Sequence, residues 1–137
     1  MFQFALDKSS AAIYEGLAIL KVQDWYASQG LKVHVRYNEA NGLEAKRGYD
    51  LIDTYGKKWE CKCDRLASFT GNIFVEHEAL SHSEADYMIL FACGLTYLIP
   101  KSFLGAILGH YSVDRGGDNK SVEGTLVPLT DLINYII

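Results

Sequence analysis

The sequence predicts an α/β domain in which helices flank a central mixed β-sheet. Three observations lead to this fold class. Apolar residues recur at helical spacing near the N-terminus, apolar and polar residues alternate in several short segments, and residues 87–93 form an apolar run typical of a buried central strand. The chain has 137 residues, the length of one ordinary domain, so we expect residues 1–137 to fold as one unit.

The first predicted element is a helix over residues 7–29. Either Ser9 or Ser10 is a suitable N-cap, and Gly30 is a suitable stop. The apolar residues of this segment recur with helical periodicity at Ile13, Leu17, Leu20 and Trp25. A half-buried strand over residues 31–36 follows, because apolar and basic side chains alternate there.

The remaining elements follow from alternation, apolar runs and turn residues. Residues 38–42 have turn chemistry, residues 65–71 are expected to form a loop, and the polar, glycine-rich residues 114–124 a mobile loop. The other predicted segments are 72–78 (strand), 81–86 (helical turn), 87–93 (central strand), 95–99 (strand), 100–108 (helix opened by Pro100) and 125–137 (short strand and helical turn).

Composition indicates a globular, intracellular protein. Hydrophobic residues make up 49% of the chain, more than a disordered chain contains. No apolar run is long enough to cross a bilayer, and the first residues do not resemble a signal peptide, so we expect a soluble, cytoplasmic protein. Three cysteines argue against a disulfide framework. A net charge of −4 disfavours binding of nucleic acid by bulk charge, although metal-binding acids would account for part of it.

The segment 48-GYDLIDTYGKKWECKCD-64 carries more charge than a hairpin needs. Its second strand alternates strictly, which puts charged side chains on one face and apolar side chains on the other. The charged face carries Lys58, Glu60, Lys62 and Asp64, and the apolar face carries Trp59, Cys61 and Cys63.

The first strand of this hairpin offers two aspartates, Asp50 and Asp53. They are three residues apart, so only one of them can share the face of Glu60. A three-residue turn over residues 55–57 places Asp50 opposite Lys62, whereas a two-residue turn would place Asp53 opposite Glu60. We predict the first arrangement, because it gathers the apolar residues of both strands on one face.

Two carboxylates and a lysine that meet on one sheet face suit metal-dependent hydrolysis. Carboxylate oxygens are ligands that Mg²⁺ and Mn²⁺ prefer, and a bound metal ion lowers the pKa of water and neutralises charge on a phosphate. A neighbouring lysine orients the nucleophile or stabilises the developing charge. Asp50, Glu60 and Lys62 are therefore the candidate catalytic residues.

This pattern resembles the PD-(D/E)xK nuclease superfamily, in which an aspartate precedes a Glu-x-Lys strand. Asp50 is followed by the tripeptide 60-ECK-62, and Glu15 matches an additional acid that many members carry on the first helix. The segments 70-TGNIFVE-76 and 83-SEADYMILF-91 are similar to small phage-type and Holliday-junction-resolvase-like members. The likeness extends over roughly residues 10–105. The chain departs from the family in lacking proline before the aspartate and in carrying Cys61 where an aliphatic residue is usual.

The resemblance implies a restriction-endonuclease-like fold with an αβββαβ core, as a single nuclease domain over residues 1–137. It implies a metal-dependent endodeoxyribonuclease in which Asp50 and Glu60 hold Mg²⁺, or Mn²⁺ in its place. Glu15 and the backbone carbonyl of Cys61 would complete the metal site, and Lys62 would act on the attacking water. Likeness to junction resolvases implies branched DNA as substrate, a homodimer as assembly and a phage-encoded origin.

Other interpretations of the same residues stay open. The charged face is also typical of a solvated edge strand, protected by its charges against pairing. A nuclease fold can also serve as a catalytically silent DNA-binding or assembly subunit, or as a sequence-specific homing or restriction-type endonuclease. Glu15, Glu76 and Glu78 are either near the metal or surface acids. The surrounding basic residues either contact phosphates or keep the chain soluble: Lys46, Arg47, Lys57, Lys58 and Arg65. The apolar tail over residues 125–137 either packs against a second subunit or caps its own core.

Overall fold

The computed structural model describes residues 2–38, 48–107, 112–117 and 120–137, with the side chains of residues 12–38, 48–107 and 123–137. The helices are α1 (Phe2–Ser28), α2 (Ala67–Thr70), α3 (His77–His82) and α4 (Lys101–Ile107), followed by a C-terminal 3₁₀ helix (Leu129–Tyr135). The strands are β1 (Val35–Tyr37), β2 (Leu51–Asp53), β3 (Lys58–Cys63), β4 (Asn72–Glu76), β5 (Tyr87–Ala92), β6 (Leu95–Pro100), β7 (Ser112–Gly117) and β8 (Lys120–Pro128).

A five-stranded mixed sheet has the strand order β1-β2-β3-β5-β6. Strands β1, β2 and β3 run antiparallel to one another, β5 lies parallel to β3, and β6 returns antiparallel to β5. β5 is an interior strand with buried side chains from Met88 to Ala92, as its continuous apolar run predicts. The predicted α/β class with a mixed sheet is confirmed.

Helix α1 covers one face of this sheet. Its buried Ala18 and Val22 pack in a core cluster with Leu51, Trp59 and Ile89, all of them fully buried. The helix ends as predicted at Gly30, whose φ of +77° lets the following N–H groups bond back to the last helical carbonyls. It begins at Phe2, so the prediction of a serine N-cap in the middle of this segment was wrong. No helix within the described ranges combines the length and apolarity needed to span a membrane.

A three-stranded antiparallel sheet of order β4-β8-β7 lies over the other face, which the sequence did not predict. Its Ile73, Val75 and Val127 join a second core cluster with Leu90 and Ile99 of the five-stranded sheet. Gly124 of β8 makes close packing possible there. A Cβ at that position would lie 2.2 Å from the Phe74 ring and 2.8 Å from the carbonyl oxygen of Val75.

Three predicted segments differ from the structure. The strand expected over residues 31–36 is confined to β1. The loop expected over residues 65–71 contains α2, because Asp64 Oδ1 accepts the Ala67 N–H at 3.0 Å and Ala67 is anchored in the core. Most of the loop expected over residues 114–124 belongs to β7 and β8, where cross-strand pairing overrides the low strand propensity of glycine-rich sequence. Of the turn expected over residues 38–42, all but Asn38 lies outside the described residues.

The other predicted elements are confirmed at slightly different bounds. The 72–78 strand is β4, the 95–99 strand is β6, and the helix after Pro100 is α4. The helical turn expected over residues 81–86 was wrong for residues 83–86, because the helix lies earlier in the chain, as α3. The C-terminal segment contains the end of β8 and the 3₁₀ helix.

Candidate functional site

The β2–β3 hairpin places the predicted site residues, in a register that differs from the prediction by two residues. Leu51 pairs with Trp59 and Ile52 with Lys58, so the three-residue turn covers residues 54–56, and the predicted pairing of Asp50 with Lys62 is wrong. A shift of two residues preserves the face of every side chain, because the strand period is two. Asp50 itself precedes β2, and its carboxylate meets β3 at the Cys61 N–H, between Glu60 and Lys62.

Asp50 occupies a bend at the start of β2, where strand pairing gives way to a side-chain contact. Its N–H donates to the Trp59 carbonyl at 2.8 Å, and its Oδ2 accepts the backbone N–H of Cys61, also at 2.8 Å. The carboxylate thus takes the place of the next carbonyl that an uninterrupted strand would offer to β3. This contact fixes the half-buried Asp50 side chain beside the middle of the Glu-Cys-Lys segment.

Glu60 and Lys62 are half-buried and point toward the second sheet. They line a cavity of about 210 Å³ together with Glu76 of β4 and Met88 of β5. Of the three acids whose role the sequence left open, Glu76 is exposed at the rim of this cavity, Glu78 is exposed in the first turn of α3, and Glu15 is half-buried on α1.

The electrostatics of the site show an excess of negative charge with limited access to water. Burial raises the pKa of Glu60, and the Asp50 charge raises it further, while Lys62 and Lys101 oppose the shift. Burial also raises the pKa of Asp50, against the Cys61 N–H. The pKa of Glu15 on α1 is raised by burial and by Asp50. The fold therefore raises the pKa of three neighbouring carboxyl groups, and burial is the largest cause for each.

Cys61 contributes through its backbone. Burial first, and then the surrounding acids, raise the pKa of its thiol to about 12, so the side chain stays a neutral thiol on the α1 face. Its N–H points toward Asp50, and in a strand the N–H and C=O of one residue face the same neighbour. The Cys61 carbonyl is therefore directed to the same edge of β3 as the Asp50 carboxylate.

Sequence reasoning missed Lys101, which supplies a second positive charge near Glu60. It begins α4 directly after β6, where Ile99 lies across from Met88, which lies across from Glu60. Its ammonium group donates to the Ser83 carbonyl oxygen. No local pattern marks Lys101, because the pairing of β3, β5 and β6 brings it to the site.

Ser83, which accepts the Lys101 ammonium group, also binds the start of the β2–β3 hairpin through its side chain. Ser83 Oγ donates to the Gly48 carbonyl oxygen at 2.8 Å, two residues before Asp50. Gly48 has a φ of +71°, and a Cβ there would lie 3.0 Å from Ser83 Cα. Glycine suits position 48 for two reasons: the backbone has a positive φ, and there is no room for a side chain beside Ser83.

The second aspartate has a different environment. Asp53 is 5% exposed on the α1 side of the sheet. Its Oδ2 accepts Tyr26 OH at 2.7 Å and Trp59 Nε1 at 2.8 Å, and its Oδ1 accepts the N–H groups of Tyr55 and Lys57. Four hydrogen bonds occupy this carboxylate, so Asp53 holds the core and the hairpin turn together.

The oxygen ligands at the site, from Asp50, Glu60 and the Cys61 backbone, suit a hard divalent cation but would not fill its coordination shell. Among the described residues, no three His, Cys, Asp or Glu side chains are grouped so that they could hold one metal ion. Mg²⁺ is commonly bound through one or two carboxylates and keeps several waters, with substrate phosphate completing the shell. The Asp50 and Glu60 carboxylates with the Cys61 carbonyl would supply such an open, all-oxygen set.

The basic residues near the site have mixed environments. Lys58 pairs with Glu84 at 3.2 Å and lies 5.0 Å from the centre of the Tyr49 ring. Lys57 and Arg65 are exposed. Lys46 and Arg47 lie outside the described residues.

Comparison of this chain with models of known protein families and with curated proteins finds no match.

Proposed function

We propose that this chain is a metal-dependent endodeoxyribonuclease that hydrolyses phosphodiester bonds. One observation carries the proposal: the Asp50 carboxylate accepts the Cys61 N–H at 2.8 Å, between Glu60 and Lys62, which share a half-buried sheet face. Carboxyl groups whose pKa values are raised by burial, and for Glu60 also by the Asp50 charge, are typical of functional sites. A purely solvated edge strand would not explain this, because β3 is paired on both sides.

Each residue has a role that follows from its place. Asp50 and Glu60 would hold Mg²⁺ or Mn²⁺ together with the Cys61 carbonyl, and Glu15 would contribute directly or through water. When bound, the cation would lower the pKa of a water molecule and neutralise charge on the phosphate. Lys62 would orient that water or stabilise the negative charge that develops on the phosphate oxygens. Lys101 would keep Glu60 ionised.

The arrangement of elements also supports the proposal. Helix α1 precedes the antiparallel strands β1, β2 and β3, and α3 then leads into β5, parallel to β3. This order agrees with the αβββαβ core of a restriction-endonuclease-like fold, and we include that fold in the proposal.

The test is plasmid cleavage with Mg²⁺, beside an EDTA control. Lys62→Ala should lose cleavage by about a thousandfold or more while its DNA affinity stays within a few-fold, because a transition-state contact affects rate more than binding. Lys21→Ala, at an exposed position on α1, is the matched control and should cleave normally. Full cleavage by a metal-free preparation would contradict the proposal.

A second candidate function is a catalytically silent DNA-binding or assembly subunit. The absence of a group of three metal-ligating side chains among the described residues favours it. The same assay separates the two functions: a silent subunit would bind DNA equally well with and without Lys62 and would cleave none.

We also propose that the chain acts as a homodimer on branched DNA. The apolar tail is divided between two environments. Val127 and Leu132 are fully buried in the chain's own core, whereas Ile133 and Ile137 are 60% and 42% exposed. The exposed part would meet the second subunit, and sedimentation at micromolar concentration tests this.

A further inference from the structure

We infer that α2 displays an apolar knob, formed by Leu66 and Phe69, that stacks on a DNA base where the duplex is interrupted. The inference rests on the proposed nuclease function and specifies how that function would select branched DNA.

The knob is unusually exposed for its composition. Phe69 is 87% exposed, the highest value among the large hydrophobic residues whose side chains the structure describes, and Leu66 is 55% exposed. The two are three residues apart, so they lie on the same side of the helical turn. Neither belongs to a core cluster, whereas the neighbouring Ala67 is buried in one.

The knob stands on a rigid base. Ala67 anchors α2 in the core, and Asp64 Oδ1 accepts its N–H at 3.0 Å. Gly71 closes the helix with a φ of +72°, its N–H donating to the Ala67 carbonyl at 2.8 Å. The Gly71 carbonyl in turn accepts the Leu129 N–H at 2.9 Å. The backbone that carries the ring is thus fixed before binding, so only the side chain loses conformational freedom.

The position of α2 connects the knob to the candidate site. The helix lies in the segment between β3, which carries Glu60 and Lys62, and β4, which carries Glu76. Both strands line the same cavity. DNA whose phosphate reaches Lys62 would therefore pass close to the segment that carries Phe69.

A DNA base suits the knob better than a second protein copy does. A stable protein interface buries about 800 Å² on each partner, whereas one aromatic side chain supplies only about 150–250 Å². A cleft of about 720 Å³ beside α2 is lined by polar side chains, among them Asp64, Arg65, Ser68 and Thr96. A single ring next to a polar cleft matches one base and its phosphates.

Branched DNA is the form that the knob would bind with least penalty. A continuous duplex exposes no base face along its length, and separating a stacked step costs a few kcal/mol. At a junction, flap or fork the stack is already broken. Phe69 would therefore contribute to affinity for branched DNA and hardly at all for linear duplex.

The test measures binding of a four-way junction and a matched linear duplex in the Lys62→Ala background, with 2-aminopurine at the branch point. Stacking on Phe69 should quench the 2-aminopurine fluorescence of the bound junction. Adding Phe69→Ala should weaken junction binding roughly five- to a hundredfold, the range for loss of one base–aromatic stack, and abolish this quenching. Linear duplex binding should not change. Phe69→Trp should preserve both signals, and Leu20→Ala, at an exposed apolar position on α1, should behave as the parent.

Equal losses on both DNAs, or none on either, would overturn the inference. So would dissociation of a dimer by Phe69→Ala, which would show that the knob contacts protein. The experiment distinguishes failure of this inference from failure of the proposed nuclease function. If the wild type cleaves DNA but Phe69→Ala keeps the preference for junctions, only the inference is wrong; if no DNA is bound or cleaved, both are.

Discussion

The two aspartates of one hairpin illustrate two uses of the same side chain. Asp53 is buried, and four donors occupy its carboxylate. Asp50 is three residues away, half-buried, and accepts one backbone N–H, while burial raises its pKa and its charge raises the pKa of Glu15 and of Glu60. A satisfied carboxylate stabilises the fold, whereas an incompletely satisfied carboxylate among like charges retains capacity for a ligand.

The largest effect that we expect is the loss of stability when Asp53, the structural aspartate, is replaced. Asp53→Ala should lower the free energy of unfolding by about 3 kcal/mol, because the Tyr26 hydroxyl and the Trp59 indole N–H lose their acceptor inside the core. Urea denaturation followed by circular dichroism measures this. Asp64→Ala, which removes only the N-terminal hydrogen bond of α2, is the control and should cost about 1 kcal/mol. Equal values for the two variants would contradict the assignment of Asp53.

A smaller effect, a gain in stability, is expected when the charge of Glu60 at the candidate site is removed. Glu60→Gln should raise the free energy of unfolding of the metal-free protein by about 1 kcal/mol near neutral pH, because it removes a buried negative charge beside Asp50. Mg²⁺ should raise the melting temperature of the wild type but not that of Glu60→Gln. A variant that is less stable than wild type without metal would contradict this account.

The pH dependence of stability has the same origin. The folded state raises the pKa of Asp50 and of Glu60, so it binds their protons more tightly than the unfolded state does. The stability from these groups is complete below roughly pH 4 and is lost as the pH rises through their folded-state pKa values. Glu60→Gln should flatten this part of the metal-free stability profile, and a profile unchanged by the substitution would argue against a charged pair.

The smallest effect concerns Lys101. Because its charge lowers the pKa of Glu60, Lys101→Ala should move the acidic limb of the pH–rate profile toward higher pH, with the rate recovered at alkaline pH. Lys101→Arg should restore the wild-type profile. Lys57→Ala, at an exposed position of the same hairpin, should leave it unchanged. A uniform loss at every pH would show that Lys101 only supports the fold through Ser83.

What the sequence could predict was local. The helix near the N-terminus, the stop at Gly30 and the apolar run of β5 required only neighbouring residues, and they are confirmed. The apolar residues that indicated the helix do not form its buried face: Ile13, Leu17 and Leu20 are exposed, and the core side carries Ala18, Val22 and Tyr26 instead. The hairpin register was wrong by two residues, an error that leaves the faces of the paired residues unchanged. The shared face of Asp50 and Glu60 stays a prediction, because Asp50 precedes the paired residues of β2.

What the sequence could not predict depended on distant pairing. The hydrogen bonds of Asp53 require α1 to cross the sheet at Tyr26, and Lys101 reaches the site only through the order β3-β5-β6. Likewise, β4 reads as a strand in its sequence, but only its partner β8 shows that it belongs to a second sheet.

The most direct test of the central claim compares single-turnover cleavage by Asp50→Asn and Asp53→Asn with Mg²⁺, at a temperature at which circular dichroism shows both variants folded. The account predicts that Asp50→Asn has no metal-dependent cleavage, and that Asp53→Asn, although less stable, keeps at least roughly a tenth of the wild-type rate. Cleavage by Asp50→Asn together with an inactive, folded Asp53→Asn would contradict the assignment of the two aspartates.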